Sequence, residues 1–155
     1  MIEVTRVIEA EPDDVLAVLT DGWTYSGWVV GASTIRAVDD KFPQPGSRVH
    51  HSVGSWPVLI SDTTHVLEYE PGYRLKLEAR GWPLGQATVE ITVETHPRGS
   101  LVTMTEDASQ GPARLLPQRV RQLSIAPRNR ESLRRLGYLA EGRAKTKPHL
   151  PHETE

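Results

Sequence analysis

Three residues of this 155-residue chain combine an ionisable side chain with apolar neighbours at strand spacing: Glu106, Asp62 and His51. Glu106 follows Val102 and Met104 at every second position, so in an extended segment the three side chains leave the backbone on one face. Desolvation favours the neutral form of a carboxyl in an apolar interior, and such a group can give and take a proton near neutral pH. The competing reading is a strand-end glutamate that reaches solvent or a nearby arginine. Asp62 shares its phase with Val58, Ile60, Thr64 and Val66. Two carboxyls converging on one pocket would hinder each other's ionisation. A bulge between Trp56 and Tyr69 would reverse the face Asp62 takes, because one residue of slip exchanges the two sides of a strand. His51 alternates with Val49 and Val53, which suits either a hydrogen-bonded core histidine or a base.

Other chemistries find little support. The chain has no cysteine, so thiolate catalysis and cysteine-ligated zinc are excluded. His50, His51, His65 and His96 have none of the familiar ligand spacings, and there is no phosphate loop, Ser-His-Asp arrangement or dinucleotide fingerprint. No metal and no cofactor is expected. Trp28, Trp56 and Trp82 are candidates to wall a cavity and stack on a flat ligand, with core or rim packing as the alternative.

The elements that must position these groups are mostly strands. Ile2, Val4, Arg6, Ile8 and Ala10 form one face of a first strand; Pro12-Asp13-Asp14 opens a short helix, and Trp23 to Trp28 reads as a second one. Strands follow over Val29–Val38, Arg48–Val53, Trp56–Tyr69, Tyr73–Arg80, Gln86–Thr95 and Leu101–Asp107, separated by proline- and glycine-bearing turns such as Pro71-Gly72. Gly111 to Ser124, interrupted by Pro112 and Pro117, reads as a loop with a partial helix and as the likeliest mobile gate. From Pro127 to about Ala144 the pattern becomes a long amphipathic helix with Ala126, Leu133, Leu136, Gly137, Ala140 and Ala144 on one stripe. Gly137 there implies close approach to another surface. Asn129, near the same stripe, either caps the helix or turns its amide inward to orient a ligand. The expected organisation is one domain over residues 1–145 and a disordered tail over 146–155.

Charge is unevenly divided. Met1 to Gln110 holds 8 Lys+Arg against 16 Asp+Glu, net −8, whereas Gly111 to Glu155 holds 10 against 4, net +6. An acidic sheet resting on a basic helix explains this better than a nucleic-acid face, for which aromatic interleaving is missing, so no nucleic-acid partner is expected. No apolar run approaches the ~18 residues of a membrane span, and Met1-Ile2-Glu3-Val4 reads directly as strand. A cytoplasmic protein without stable membrane insertion is the expectation, with a homodimer left open.

Strand, two short helices, six-strand meander and long terminal helix is the helix-grip order, an α+β architecture. The chain resembles the SRPBCC (START-related) superfamily, in particular its polyketide cyclase/dehydrase-like branch. The likeness lies in Trp28-Val29-Val30-Gly31-Ala32, Pro45-Gly46-Ser47-Arg48 leading to His50-His51, Glu70-Pro71 before Tyr73-Arg74-Leu75, Met104-Thr105-Glu106, and Asn129 with Leu133 and Leu136. The resemblance implies a curved antiparallel sheet of about seven strands wrapped round the terminal helix, with a deep cavity between them. The expected ligand is small and apolar or aromatic, bound by Trp28, Trp56, Trp82, Met104, Asn129, Leu133 and Gly137. The alternative is a cyclase or dehydratase using Glu106, Asp62 and His51.

Overall fold

The computed structural model describes residues 1–81 and 85–147. Strand β1 (Ile2–Ile8) leads to helix α1 (Pro12–Leu19), a 3-10 turn (Gly22–Thr24) and the one-turn helix α2 (Tyr25–Trp28). Strands β2 (Ala32–Val38), β3 (Arg48–Ser55), β4 (Val58–Glu70), β5 (Arg74–Gly81), β6 (Gly85–His96) and β7 (Gly99–Gln110) follow. A 3-10 turn (Pro112–Leu115) then precedes helix α3 (Gln118–Thr146). All pairings are antiparallel in one seven-stranded sheet of order β1-β7-β6-β5-β4-β3-β2. The helix-grip order expected from the sequence is therefore present, with α3 packed chiefly on β1, α1 and α2.

The alternation read from the sequence matches the burial. On β1, Ile2, Val4 and Ile8 are buried; on β7, Ser100, Val102, Met104 and Glu106 are buried while their neighbours are not. The inward stripe of α3 comprises Ala126, Asn129, Leu133, Leu136, Gly137 and Ala140, and Ala144 packs partly against the same core. Outside the sheet, Arg74 pairs with Glu68, Glu70 and Glu90, and Lys76 with Glu68, which accounts for the polar phase of β4 to β6.

Several boundaries differ from the sequence reading. Helix α3 begins at Gln118, immediately after Pro117, and Pro127 lies within it. A mid-helix proline removes one hydrogen bond and costs about 3 kcal/mol in a helix interior; here its ring is exposed while Ala126 and Asn129 on either side of it are buried. The segment expected to be a loop over Gly111 to Ser124 is thus a 3-10 turn followed by helix. Strand β2 starts at Ala32 rather than Val29. Trp56-Pro57 forms the β3–β4 turn rather than the start of a strand, and Gly54 adopts a φ of 104°, where an added Cβ would lie 2.5 Å from the Val58 carbonyl oxygen. Of the tail expected over residues 146–155, Thr146 ends α3 and Lys147 caps it, its ammonium against the buried Asp14 carboxylate; residues 148–155 lie outside the described residues.

Gly137 does approach another surface, and that surface is β1. A Cβ built there would sit 3.5 Å from Ile8 Cγ1 and 3.5 Å from Arg6 Nε, ordinary van der Waals spacing. Gly137→Ala should therefore stabilise the protein by about 0.5–1 kcal/mol through helix propensity, read from chemical denaturation midpoints. Gly137→Leu should clash with Ile8 and lower the melting temperature.

Candidate functional site

Between the inner face of the sheet and the N-terminal half of α3 lies a cavity of about 360 Å³. Trp28 from α2, Val53 from β3, Leu77 from β5, Val89 from β6 and Met104 from β7 supply much of its apolar wall. Ile125, Arg128, Asn129 and Ser132 close it from α3. The inward face of α3 divides along its length: residues 125–132 border the cavity, while Leu133, Leu136, Gly137 and Ala140 are buried in the solid core.

Polar groups enter this wall in two clusters. In the first, Glu106 is 5 % exposed and accepts from Arg128 Nη2 at 2.5 Å on both carboxylate oxygens, and from Asn129 Nδ2 at 2.9 Å. Two donors, one of them cationic, thus converge on the buried carboxylate. Of the partners weighed for Glu106 from the sequence, the fold supplies an arginine, Arg128. Asn129 sits well inside α3, so it is no cap; its amide is spent on Glu106.

In the second cluster a hydroxyl chain runs from Tyr25 through Thr64 to His51. Tyr25 Oη lies 2.8 Å from Thr64 Oγ1, and Thr64 Oγ1 lies 3.0 Å from His51 Nε2; the Tyr25 and His51 rings stand 5.2 Å apart, tilted by 30°. His51 Nδ1 is buried and has no hydrogen-bond partner among the described residues. Burial pushes the Tyr25 phenol up to about 12, the Thr64 hydrogen bond opposing it, so it stays protonated. Burial also holds the His51 imidazolium below its ordinary 6.5, with the Asp62 carboxylate pulling the other way. His51 is therefore neutral at pH 7.

The remaining sequence candidates separate from the cavity. Asp62 keeps the phase of Thr64 and pairs in register with His51, because the bulge in β4 falls later, between Val66 and Glu68. Its carboxylate nevertheless stays half-buried, accepts from Thr63 N at 2.7 Å and does not line the cavity, since β4 has not yet entered the core at that point. Trp56 is 85 % exposed on the β3–β4 turn and does not wall the cavity. Leu133 and Gly137 belong to the core beneath it. Trp82 lies outside the described residues. Arg128, Tyr25 and Thr64 were not singled out from sequence; the usable signal was that a buried carboxylate demands a donor and that Arg128 adjoins Asn129.

This fold and cavity define a class. The family described as polyketide cyclase / dehydrase and lipid transport matches residues 1–141, and the chain belongs to that family, within the SRPBCC superfamily. No curated protein matches the chain. Among solved structures, protein NE0264 from Nitrosomonas europaea is 16% identical with a TM-score of 0.71, over 91% of this chain and 94% of that one. The di-domain ARO/CYC StfQ from the steffimycin biosynthetic pathway is 12% identical with a TM-score of 0.70, over 93% of this chain and 51% of that one. Ara h 8.0201 is 14% identical with a TM-score of 0.67, over 90% of this chain and 96% of that one. At these identities the likeness is one of fold. Among the described residues no helix is long and apolar enough to cross a membrane.

Two measurements check the site's electrostatics. Arg128→Ala should destabilise by about 1–3 kcal/mol, less than a fully buried pair because Arg128 is partly solvated, whereas Arg128→Ala combined with Glu106→Gln should recover part of that loss in a double-mutant cycle. For His51, the folded protein favours the neutral ring, so its contribution is complete above 6.5 and is lost as pH falls below it. The melting temperature should drop as the pH falls below 6.5, and His51→Gln should flatten that slope.

Proposed function

We propose that this protein binds a small apolar or aromatic molecule in the cavity between the sheet and α3. The observation that carries the reading is the cavity itself: about 360 Å³, within the size range of small-molecule sites, walled mainly by apolar side chains, with the two polar clusters and Arg80, Gln86 and Ser132 as its polar members. Trp28 and Met104 offer polarisable surface for a flat ring. Arg128, whose guanidinium is partly exposed beside Glu106, offers a donor to an acceptor atom on the ligand, and the two clusters together would orient an otherwise apolar body.

A second reading, a cyclase or dehydratase, is favoured by one observation: His51 is a neutral imidazole in the cavity wall with Nδ1 unpartnered. A base of that kind suits proton abstraction in ring closure or dehydration, and the fold is shared with an ARO/CYC protein. Against it, Glu106 is tied to Arg128 and Asn129 rather than held ready as an acid. Binding is therefore the conclusion.

Native mass spectrometry after expression, and quenching of tryptophan emission by a panel of aromatic and fatty molecules, should detect binding. Ala87→Phe should fill the cavity and weaken the best ligand by about tenfold or more at unchanged fold, as expected when a bulky ring displaces a buried one. A panel that shifts neither emission nor melting temperature would remove the binding reading. Turnover of a polyketide-like substrate that disappears in His51→Gln while binding persists would establish the second one instead.

A further inference from the structure

The antiparallel pairing gathers one set of chain segments at a single end of the sheet. Ala32 at the start of β2 faces Val53 beside the β3–β4 turn, Gly81 at the end of β5 faces Gly85 at the start of β6, and Gln86 faces Gln110 at the end of β7, from which the chain passes to the start of α3. Val53, Gly85, Ala108 and Ile125 all border the cavity, so this end is its mouth. Two projections from it are apolar and exposed. On the β3–β4 turn Trp56 is 85 % exposed and Val58 69 %; on the approach to α3 and its first turns Leu115 is 87 % exposed and Leu123 79 %. Side chains this large and this open contribute nothing to the core, and they cluster where a ligand must enter.

Charge at this end is equally one-sided. Residues 27–35, 51–61, 85–89 and 108–127 contain no aspartate or glutamate and three arginines, Arg114, Arg119 and Arg121, in a chain that carries 20 acidic residues in 155. Arg130 follows one turn beyond Pro127. Arg121 is paired with Asp107, but Arg114, Arg119 and Arg130 have no ion pair among the described residues. We infer that the mouth of the cavity docks peripherally on an anionic lipid surface, with Trp56 and Leu123 entering the headgroup layer and Arg114 and Arg119 pairing with lipid phosphates. Small apolar groups on two separate projections, Trp56 and Val58 on one and Leu115 and Leu123 on the other, suit a yielding lipid interface, whereas a folded partner would need one continuous complementary face. Arginines beside those tips match the negative surface, and no carboxylate in these segments opposes the approach. Docked this way, the cavity opens towards the apolar layer and an apolar ligand can pass without crossing water. The inference goes beyond ligand binding and is tested without any ligand.

The full chain should float with vesicles of phosphatidylcholine and phosphatidylglycerol and should stay behind with vesicles of phosphatidylcholine alone. High salt should release it. Trp56→Ser with Leu123→Ser should lower partitioning about tenfold or more, and Arg114→Gln with Arg119→Gln about fivefold for each charge removed; the melting temperature should be unchanged in both because all four side chains are exposed. Failure to float with the anionic vesicles overturns the proposal, as does flotation that neither pair of substitutions reduces. Binding to soluble polyglutamate that equals vesicle binding, with the Trp56 and Leu123 variant behaving like the parent, would identify an acidic protein as the partner and also overturn it.

Discussion

The packing of α3 on β1 is the constraint on which the rest depends. Gly137 and Ala140 keep the helix surface low, so its C-terminal half can settle against Ile8 and the α1 core while Leu133 and Leu136 fill the remaining space. Each of those leucines removes apolar surface worth about 1.5–3 kcal/mol from water. With that half fixed, the N-terminal half extends over the sheet, tied to β7 by Arg121 to Asp107 and by Arg128 and Asn129 to Glu106. The gap beneath residues 125–132 is the cavity. Pro127 is tolerated because it falls on the exposed side of the helix, away from the seam.

Electrostatics follow the same division. The acidic sheet and basic helix meet in two named pairs, Arg128 with Glu106 and Arg121 with Asp107, and Lys147 at the end of α3 meets the buried Asp14 of α1. Glu106 and Asp14 could not sit unpartnered at their burial, since an isolated buried carboxylate is far costlier than a paired one. Pairing Glu106 from one side by a partly exposed arginine fixes the carboxylate and leaves a guanidinium at the cavity wall. The same residue thus closes a core pair and furnishes a contact for whatever occupies the space.

Much of this architecture was legible in the residues. Strict alternation in β5, β6 and β7 and the small-residue stripe of α3 are local signals that survive folding, because strand and helix periods dictate which side chains share a face. Boundaries next to proline were read less well. Pro117 and Pro127 both argue for a helix start, and only the helix's continuation over the cavity, with Ile125, Arg128 and Asn129 facing in, distinguishes them. Asp62 keeps the phase of Thr64, yet phase says nothing of how far along a strand the core begins.

By itself, then, the sequence determined periodicity: which residues of each strand and of α3 share a face, the six-strand meander, and Glu106 and His51 as ionisable groups in phase with apolar neighbours. Tertiary structure alone decided what those groups meet. Arg128 reaches Glu106 across 22 positions of chain, and Thr64 joins Tyr25 to His51 across 39 and 13, separations at which no local pattern carries information. Burial depth is decided the same way, because it depends on which elements cover a residue. Trp28 and Trp56, both aromatic and both beside a turn, end as cavity wall and exposed tip for that reason.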